Sequence, residues 1–419
     1  MVRLTRLRID RFRNVKPGTE LRFGPTFNVL LGKNATGKST LLDLIAAVTN
    51  DNLLAYAKED TGFDLTWWLE KDDTEVEVRA VRTPAKRPSL PERLGEENEF
   101  DDRLTMVLRT AGTETGRLEV TGTRGIWRVP DEPEMPLEVR AGLAAGRATL
   151  RALNSVIEQY GDDLGMTTGI DVARGLLNAG RHPDRFDEAL GSLDAIIRSS
   201  FELRHDSGAR AMMSDSWVPQ EFLLAAYAPL SSDPFVASFD RLQWLKEIPA
   251  ILGFTSAALR PRLLTRSQEG EKVTTRYQGF DCIFQRADGS QISHELLSFG
   301  QKRLFSFLWY LAVREELPVV ADELLNGLHH EWIEVCFDRL RDRQSFLATQ
   351  HPLLLDHIPV ESREAVRTTF IRCSLESGPD GRERMAWRNF DEDEAERFFV
   401  AYQTGIQQVS EVLRTEGLW

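Results

Sequence analysis

Nine residues constrain this chain more than any other feature. Gly32 to Thr40 read GKNATGKST, after the apolar run Phe27–Leu31 (FNVLL) and before the apolar stretch LLDLIAAVTN. The order is therefore buried strand, glycine loop, helix. A loop of this kind turns successive backbone N–H groups toward one point, and the positive end of the following helix adds to them. The result is a cradle for phosphate oxygens. Within Gly32-x-x-x-x-Gly37-Lys38-Ser39, Lys38 supplies a mobile point charge for the β- and γ-phosphates and Ser39 supplies a hydroxyl for Mg²⁺. The expected contacts to ATP are Gly32, Asn34, Gly37, Lys38, Ser39 and Thr40.

LPVVADE supplies the second half of such a site. An apolar strand ending at Asp322 would hold the Mg²⁺ shell in place, and Glu323, one residue on, would orient or deprotonate a water. Leu297–Gln301 (LSFGQ) opens another helical stretch, with Ser298 placed either to cap it or to offer a second anion cradle with Gly300 and Gln301. FLATQHP then ends a further strand, with His351 two residues beyond it.

The motif LSFGQ, 24 residues before Asp322, resembles the signature of the ABC and SMC-type ATPases. The resemblance implies a P-loop core with a parallel sheet, Mg²⁺-dependent ATP hydrolysis, and protomers that meet head to tail. Ser298 and Gly300 would then reach the γ-phosphate held by a second copy. It also implies that Glu323 is the catalytic carboxylate that activates the attacking water and His351 the switch histidine. ELLNGLHHEW resembles the "ENGLHP" loop of RecF-like and OLD-like ATPases, with Leu324-Leu325 in place of Pro-Glu and His330 in place of Pro. Arg11-Phe12-Arg13-Asn14 resembles the "FRN" that opens RecF and SMC heads; the alternative is an arginine on an exposed strand face. The glutamine that senses Mg²⁺ in this group has only Gln159 and Gln220 as positional candidates. A metal site at His329, His330 and Glu331 is disfavoured, because adjacent histidines on one element are expected to point apart.

Composition sets the outer limits. The 419 residues carry 52 basic and 65 acidic side chains, a net charge of −13, which argues against a general nucleic-acid coat. Nine lysines stand against 43 arginines, and Lys33, Lys38 and Lys302 fall in or beside the two phosphate motifs. Cys282, Cys336 and Cys373 form no metal or disulfide pattern. The Arg-interrupted N-terminus and the lack of an 18-residue apolar run predict a cytoplasmic protein with no membrane span.

The expected organisation is an α/β, ABC-type P-loop NTPase core with a β-rich subdomain. The core would comprise 1–135 and 271–390, with an inserted, mainly helical lobe at 136–270 and a C-terminal helix at 391–419. Residues Thr83–Asp102 read as a surface loop, and Asp288-Gly289 as a hairpin turn. The resemblance covers about 1–50 and 271–359 and leaves the middle unmatched. Arg260, Arg262 and Arg266, and the Arg79–Arg93 stretch, read as solvated faces before nucleic-acid contacts, so nucleic acid stays open as a partner. The favoured function is an ATP-gated dimer that acts as sensor or regulator in prokaryotic anti-phage defence. Its effector or toxin would be a separate protein, since no length remains for a TOPRIM domain. The alternatives are a RecF-like repair ATPase and a nucleotide-locked scaffold that sequesters a toxin.

Overall fold

A computed structural model describes residues 1–57, 59, 61–84, 100–139, 148–160, 185–186, 197–206, 209–214, 218–219, 221–223, 236–243, 245–270, 272–313, 317–349, 352–378, 380–415 and 417. The chain forms two compact units. One comprises 1–180, 316–323 and 340–419; the other comprises 181–315 and 324–339.

The first unit opens with β1 (Arg3–Phe12), β2 (Thr19–Arg22), β3 (Phe27–Leu31) and α1 (Lys38–Thr49). An antiparallel meander follows: β4 (Phe63–Lys71), β5 (Thr74–Pro84), β6 (Phe100–Thr110), β7 (Thr113–Thr121), β8 (Arg124–Arg128) and β9 (Met135–Glu138). The sheet order is β2-β1-β4-β5-β6-β7-β8-β9. Short turns carry it: Ala111 and Gly112 both take positive φ, 48° and 79°, the twist that joins two antiparallel strands through two residues. The period of two is plain on β5, where Val76, Val78 and Ala80 are buried. Gly116 leaves the room that the Trp127 ring fills; a side chain there would collide with it. The helix α2 (Ala148–Tyr160) begins on a remote carboxylate. Asp51, 4% exposed, accepts from the backbone N–H of Thr149 (3.3 Å) and Leu150 (2.9 Å), satisfying donors that a helix start otherwise leaves orphaned.

The second unit holds β10 (Ser200–Asp206), β11 (Ala209–Ser214), β12 (Ala237–Ser238), β13 (Ser256–Glu269), β14 (Lys272–Gln285) and β15 (Gln291–Ser293). The strand order is β11-β10-β14-β13-β12, with β15 also paired to β14. It also holds α3 (Phe299–Val313) and all but the last residue of α4 (His330–Leu340).

Back in the first unit, β16 (Val319–Asp322), β17 (Ser345–Ala348), β18 (Phe370–Ser377) and β19 (Glu383–Asn389) join β3 in the order β16-β17-β3-β18-β19. All pairs are parallel except β18 with β19. The architecture is thus mixed α/β. Phe27–Leu31 is buried throughout because both faces of this sheet are covered, which is why its sequence is a continuous apolar run. One core cluster joins Leu7 and Leu65 of the meander, Leu41, Leu44 and Ile45 of α1, and Leu30, Phe346 and Ile371 of the parallel sheet. Each such side chain contributes roughly 1.5–3 kcal/mol of burial. The helix carrying Lys38 and Ser39 is therefore fixed on two sides.

Three expectations change. Residues 136–270 are not one helical insertion ahead of a core segment beginning at 271. The strands β10 and β13 both pair with β14, so backbone hydrogen bonds tie residues on either side of 270 into one unit. The expected helices within 161–184 and 187–196 lie outside the described residues. The single C-terminal helix is two, Glu392–Gln403 and Val409–Thr415, separated at Gly405 with φ 66°. Of the Thr83–Asp102 loop, Thr83 pairs with Asp101 and Pro84 with Phe100 as strand; residues 85–99 lie outside the described residues. The Asp288-Gly289 hairpin turn is present, with Gly289 at φ 82°. The three cysteines are free and buried, and burial pushes the Cys373 thiol up to about 12. Among the described residues no helix is long and apolar enough to cross a membrane.

A buried ion pair closes the C-terminal part of this unit. Glu394, 5% exposed, accepts from Arg388 at 2.6 and 2.7 Å and from Arg372 at 3.0 Å, and caps its own helix through the backbone N–H of Asp391. The Arg388 hydrogen bonds lower its pKa to about 2 from the usual 4.5. A depressed carboxylate pKa stabilises the fold above the unfolded value and loses that stabilisation as pH falls through the folded one. Glu394→Gln should therefore cost about 2 kcal/mol at pH 7, after allowance for the half-exposed arginine. Urea unfolding should show variant and wild type converging between pH 4.5 and 2.

Candidate functional site

The site begins where β3 ends. Gly32, Ala35 and Gly37 have φ of 153°, 65° and 85°, so the loop curls on itself before α1 starts at Lys38. Two of these positions admit only glycine for a second reason. A Cβ on Gly32 would collide with the Cys373 carbonyl oxygen, and one on Gly37 with the Met385 sulfur and, at 3.1 Å, with the Trp387 ring. The hairpin β18–β19 is thus the floor of the loop. Trp387 Nε1 donates to the Thr36 carbonyl at 3.1 Å, and Thr36 Oγ1 donates to the Lys33 carbonyl at 2.8 Å.

Lys38 is 9% exposed and folds back over the loop, donating from Nζ to the carbonyls of Gly32 (2.8 Å) and Lys33 (3.0 Å). An ammonium held by two carbonyls at the loop's own start is ready to exchange one of them for an anionic oxygen. Asn34 and Ser39 are exposed and Thr40 is half-buried beside it.

Ser39 Oγ donates to Asp322 Oδ2 at 2.6 Å, across 283 residues of sequence. The parallel ladders set this meeting: β17 lies between β3 and β16, and Asp322 pairs with Ala348 just as Leu30 does from the other side. A serine hydroxyl and a carboxylate are hard oxygen donors. Their separation is close to the roughly 2.9 Å between neighbouring ligands of an octahedral Mg²⁺ shell, so the pair fits that ion.

Glu323 follows at φ 48°, an unusual conformation for a side chain of this size, and its N–H donates to the Ala348 carbonyl at 2.9 Å. The ladder bond fixes the residue while the positive φ turns the chain out of the strand. The next residue, Leu324, belongs to the second unit. His351 and Gln350 lie outside the described residues.

The signature residues lie in the second unit. Ser298 Oγ accepts from the Gln301 N–H (3.3 Å) and the Ser298 N–H donates to Gln301 Oε1 (2.9 Å), a reciprocal cap at the start of α3. Gln301 Nε2 donates to the Leu252 carbonyl at 3.0 Å, so its amide is engaged within its own unit. Gly300 is half-buried because the Trp332 ring sits 2.7 Å from where its Cβ would be. Gly327 takes φ 79° under the Phe299 ring, and Phe299 is itself 71% exposed. Arg303 reaches the Leu324 carbonyl at 3.1 and 3.2 Å, holding the loop after the acidic pair to α3.

The remaining candidates divide. Arg11 is used structurally, donating to the Arg82 carbonyl at 2.6 Å. Arg13 pairs with Glu59, and its guanidinium lies over the Tyr56 ring. The turn that follows borders the glycine loop, because Asn14 and Lys16 pair with the backbone of Met385, whose sulfur abuts Gly37. Gln159 bonds both backbone groups of Glu138, at 3.0 and 3.3 Å, and Gln220 lies outside the described residues. His329, His330 and Glu331 are exposed, but the two rings do not point apart: their centroids are 4.3 Å from each other. The residue at 329 precedes the helix, its carbonyl accepting from the Trp332 and Ile333 N–H groups, and 330 opens it. Cys373, Met385 and Trp387 escaped the sequence reading, since nothing in β18–β19 marks them as supports of a loop more than 300 residues earlier.

The sequence matches no family model and no curated protein. Similar solved structures include the SMC head bound to the C-winged helix domain of ScpA, 12% identical over 93% of this chain and 99% of that one, with a TM-score of 0.36. The SMC head domain from Thermotoga maritima is 12% identical over 93% and 99%, with a TM-score of 0.33. The SMC head domain with an extended coiled coil bound to the C-terminal domain of ScpA, from Pyrococcus furiosus, is 11% identical over 96% and 100%, with a TM-score of 0.34. Likeness at this level carries no inference about activity, which rests on the geometry of this chain's own residues.

Proposed function

We propose that this protein is an ABC/SMC-like ATPase that binds and hydrolyses ATP and dimerises head to tail in doing so. The observation that carries the reading is the 2.6 Å contact between Ser39 and Asp322, which joins the glycine loop to the end of an apolar strand. A glycine turn of purely structural use has no need of a distant carboxylate at its first helical hydroxyl.

The residues divide the work. The loop N–H groups and the α1 N-terminus bind phosphate oxygens, and Lys38 neutralises their charge. Ser39 and Asp322 would hold Mg²⁺, which supplies charge stabilisation at the phosphates when bound. Glu323 takes the proton of the attacking water, and His351 contacts the γ-phosphate. Ser298 and Gly300 of one copy, at the N-terminus of α3, would meet the phosphates held by the other. Asn326 and Gly327 lie in the loop that carries communication between the two sites.

The finer reading is a sensor or regulator of prokaryotic anti-phage defence that controls a separate effector protein, supported by the likeness of Glu323–Trp332 to the OLD-like loop. A RecF-like repair role predicts strong, salt-sensitive stimulation of turnover by DNA. A toxin-sequestering scaffold predicts slow, DNA-indifferent turnover and a protein that co-purifies.

Lys38→Ala should weaken ATP binding by about a hundredfold, the loss of one charge-assisted contact, measured by calorimetric titration with the thermal midpoint as fold control. Unchanged affinity would overturn the phosphate assignment. Glu323→Gln should retain ATP binding and slow hydrolysis by about 10²–10⁴-fold. With ATP the variant should elute as a dimer in size-exclusion chromatography; a monomer would overturn the trans-site arrangement.

A further inference from the structure

We propose that His329, His330 and Glu331 form a binding site for a divalent transition cation such as Zn²⁺, separate from the nucleotide chemistry. One ligand atom from each residue lies within 4.8 Å of the other two, and all three side chains are exposed. Tetrahedral Zn²⁺ with bonds near 2.0–2.1 Å needs its ligand atoms about 3.4 Å apart. Exposed side chains close that gap by rotation about their own χ angles, without moving backbone. Neighbours on one helix diverge, but His329 lies outside α4 and the imidazole rings approach to 4.3 Å.

The donor set selects the metal. Two imidazole nitrogens and one carboxylate suit Zn²⁺, Co²⁺ or Ni²⁺, and the set is wrong for Mg²⁺, which prefers oxygen alone. Glu331 sits in the first turn of α4 and supplies the oxygen ligand of the set. A cation held by three successive residues fixes the backbone directly before Trp332. That ring abuts Gly300 of the signature, so occupancy would stiffen the contact beneath the α3 N-terminus.

The test uses the full chain, stripped of metal with chelator, dialysed and titrated with Zn²⁺ alone in the absence of nucleotide. One equivalent should bind, and the His329→Ala/His330→Ala double variant should lose at least about tenfold in affinity, with Glu331→Gln losing less. Co²⁺ should give the visible absorption of a low-coordinate site in the wild type and lose it in the double variant. Millimolar Mg²⁺ should not compete. Equal Zn²⁺ affinity in wild type and double variant, no one-equivalent binding at all, or displacement by Mg²⁺ would each overturn the assignment. Displacement by Mg²⁺ would place the metal on Ser39 and Asp322, leaving the nucleotide reading untouched.

Discussion

The glycine loop depends on a floor. Its glycines are compelled both by their own positive φ and by the hairpin pressed against them, with the Cys373 carbonyl under Gly32 and the Met385 sulfur under Gly37. The Trp387 indole then fixes the middle of the loop through the Thr36 carbonyl. A cradle of backbone N–H groups is effective only if it does not reorganise when an anion arrives. Here the C-terminal hairpin supplies that rigidity, and the same two strands carry Arg372 and Arg388 to the buried Glu394. The hairpin β18–β19, which holds no recognisable motif, is thereby what the glycine loop rests on.

The parallel sheet does the rest by register. Because β17 lies between β3 and β16, the ends of all three strands fall on one edge, and Ser39 and Asp322 meet there. The core cluster fixes α1 from both sides, so the hydroxyl of Ser39 stays where strand pairing puts its partner.

Legibility in the sequence followed the range of the interactions. Phe27–Leu31, the glycine loop and the Asp322 strand end were readable because each is a short run whose composition decides its conformation. The Ser298 cap was readable for the same reason, whereas the second contact of the Gln301 amide was not, since it lies at Leu252, 49 residues away. The division into units was not legible. It turns on β14 pairing with both β10 and β13, and no local pattern in KVTTRYQGFDCIFQ names those partners. The divergence expected of His329 and His330 failed because the helix boundary falls between them, and boundaries are the least certain part of any sequence reading.

The position of Glu323 joins these threads. Its backbone N–H is still bound to the β17 ladder, its φ of 48° already leaves the strand, and the residue after it belongs to the other unit. A glutamate in this conformation stores strain of order 1–3 kcal/mol, against which its ladder bond to the Ala348 carbonyl holds it. Glycine would relieve that strain and remove the carboxylate. The chain instead keeps the acid at a point where it passes from one unit to the next. Any change in how Leu324 is held would act on Glu323 through a single covalent step.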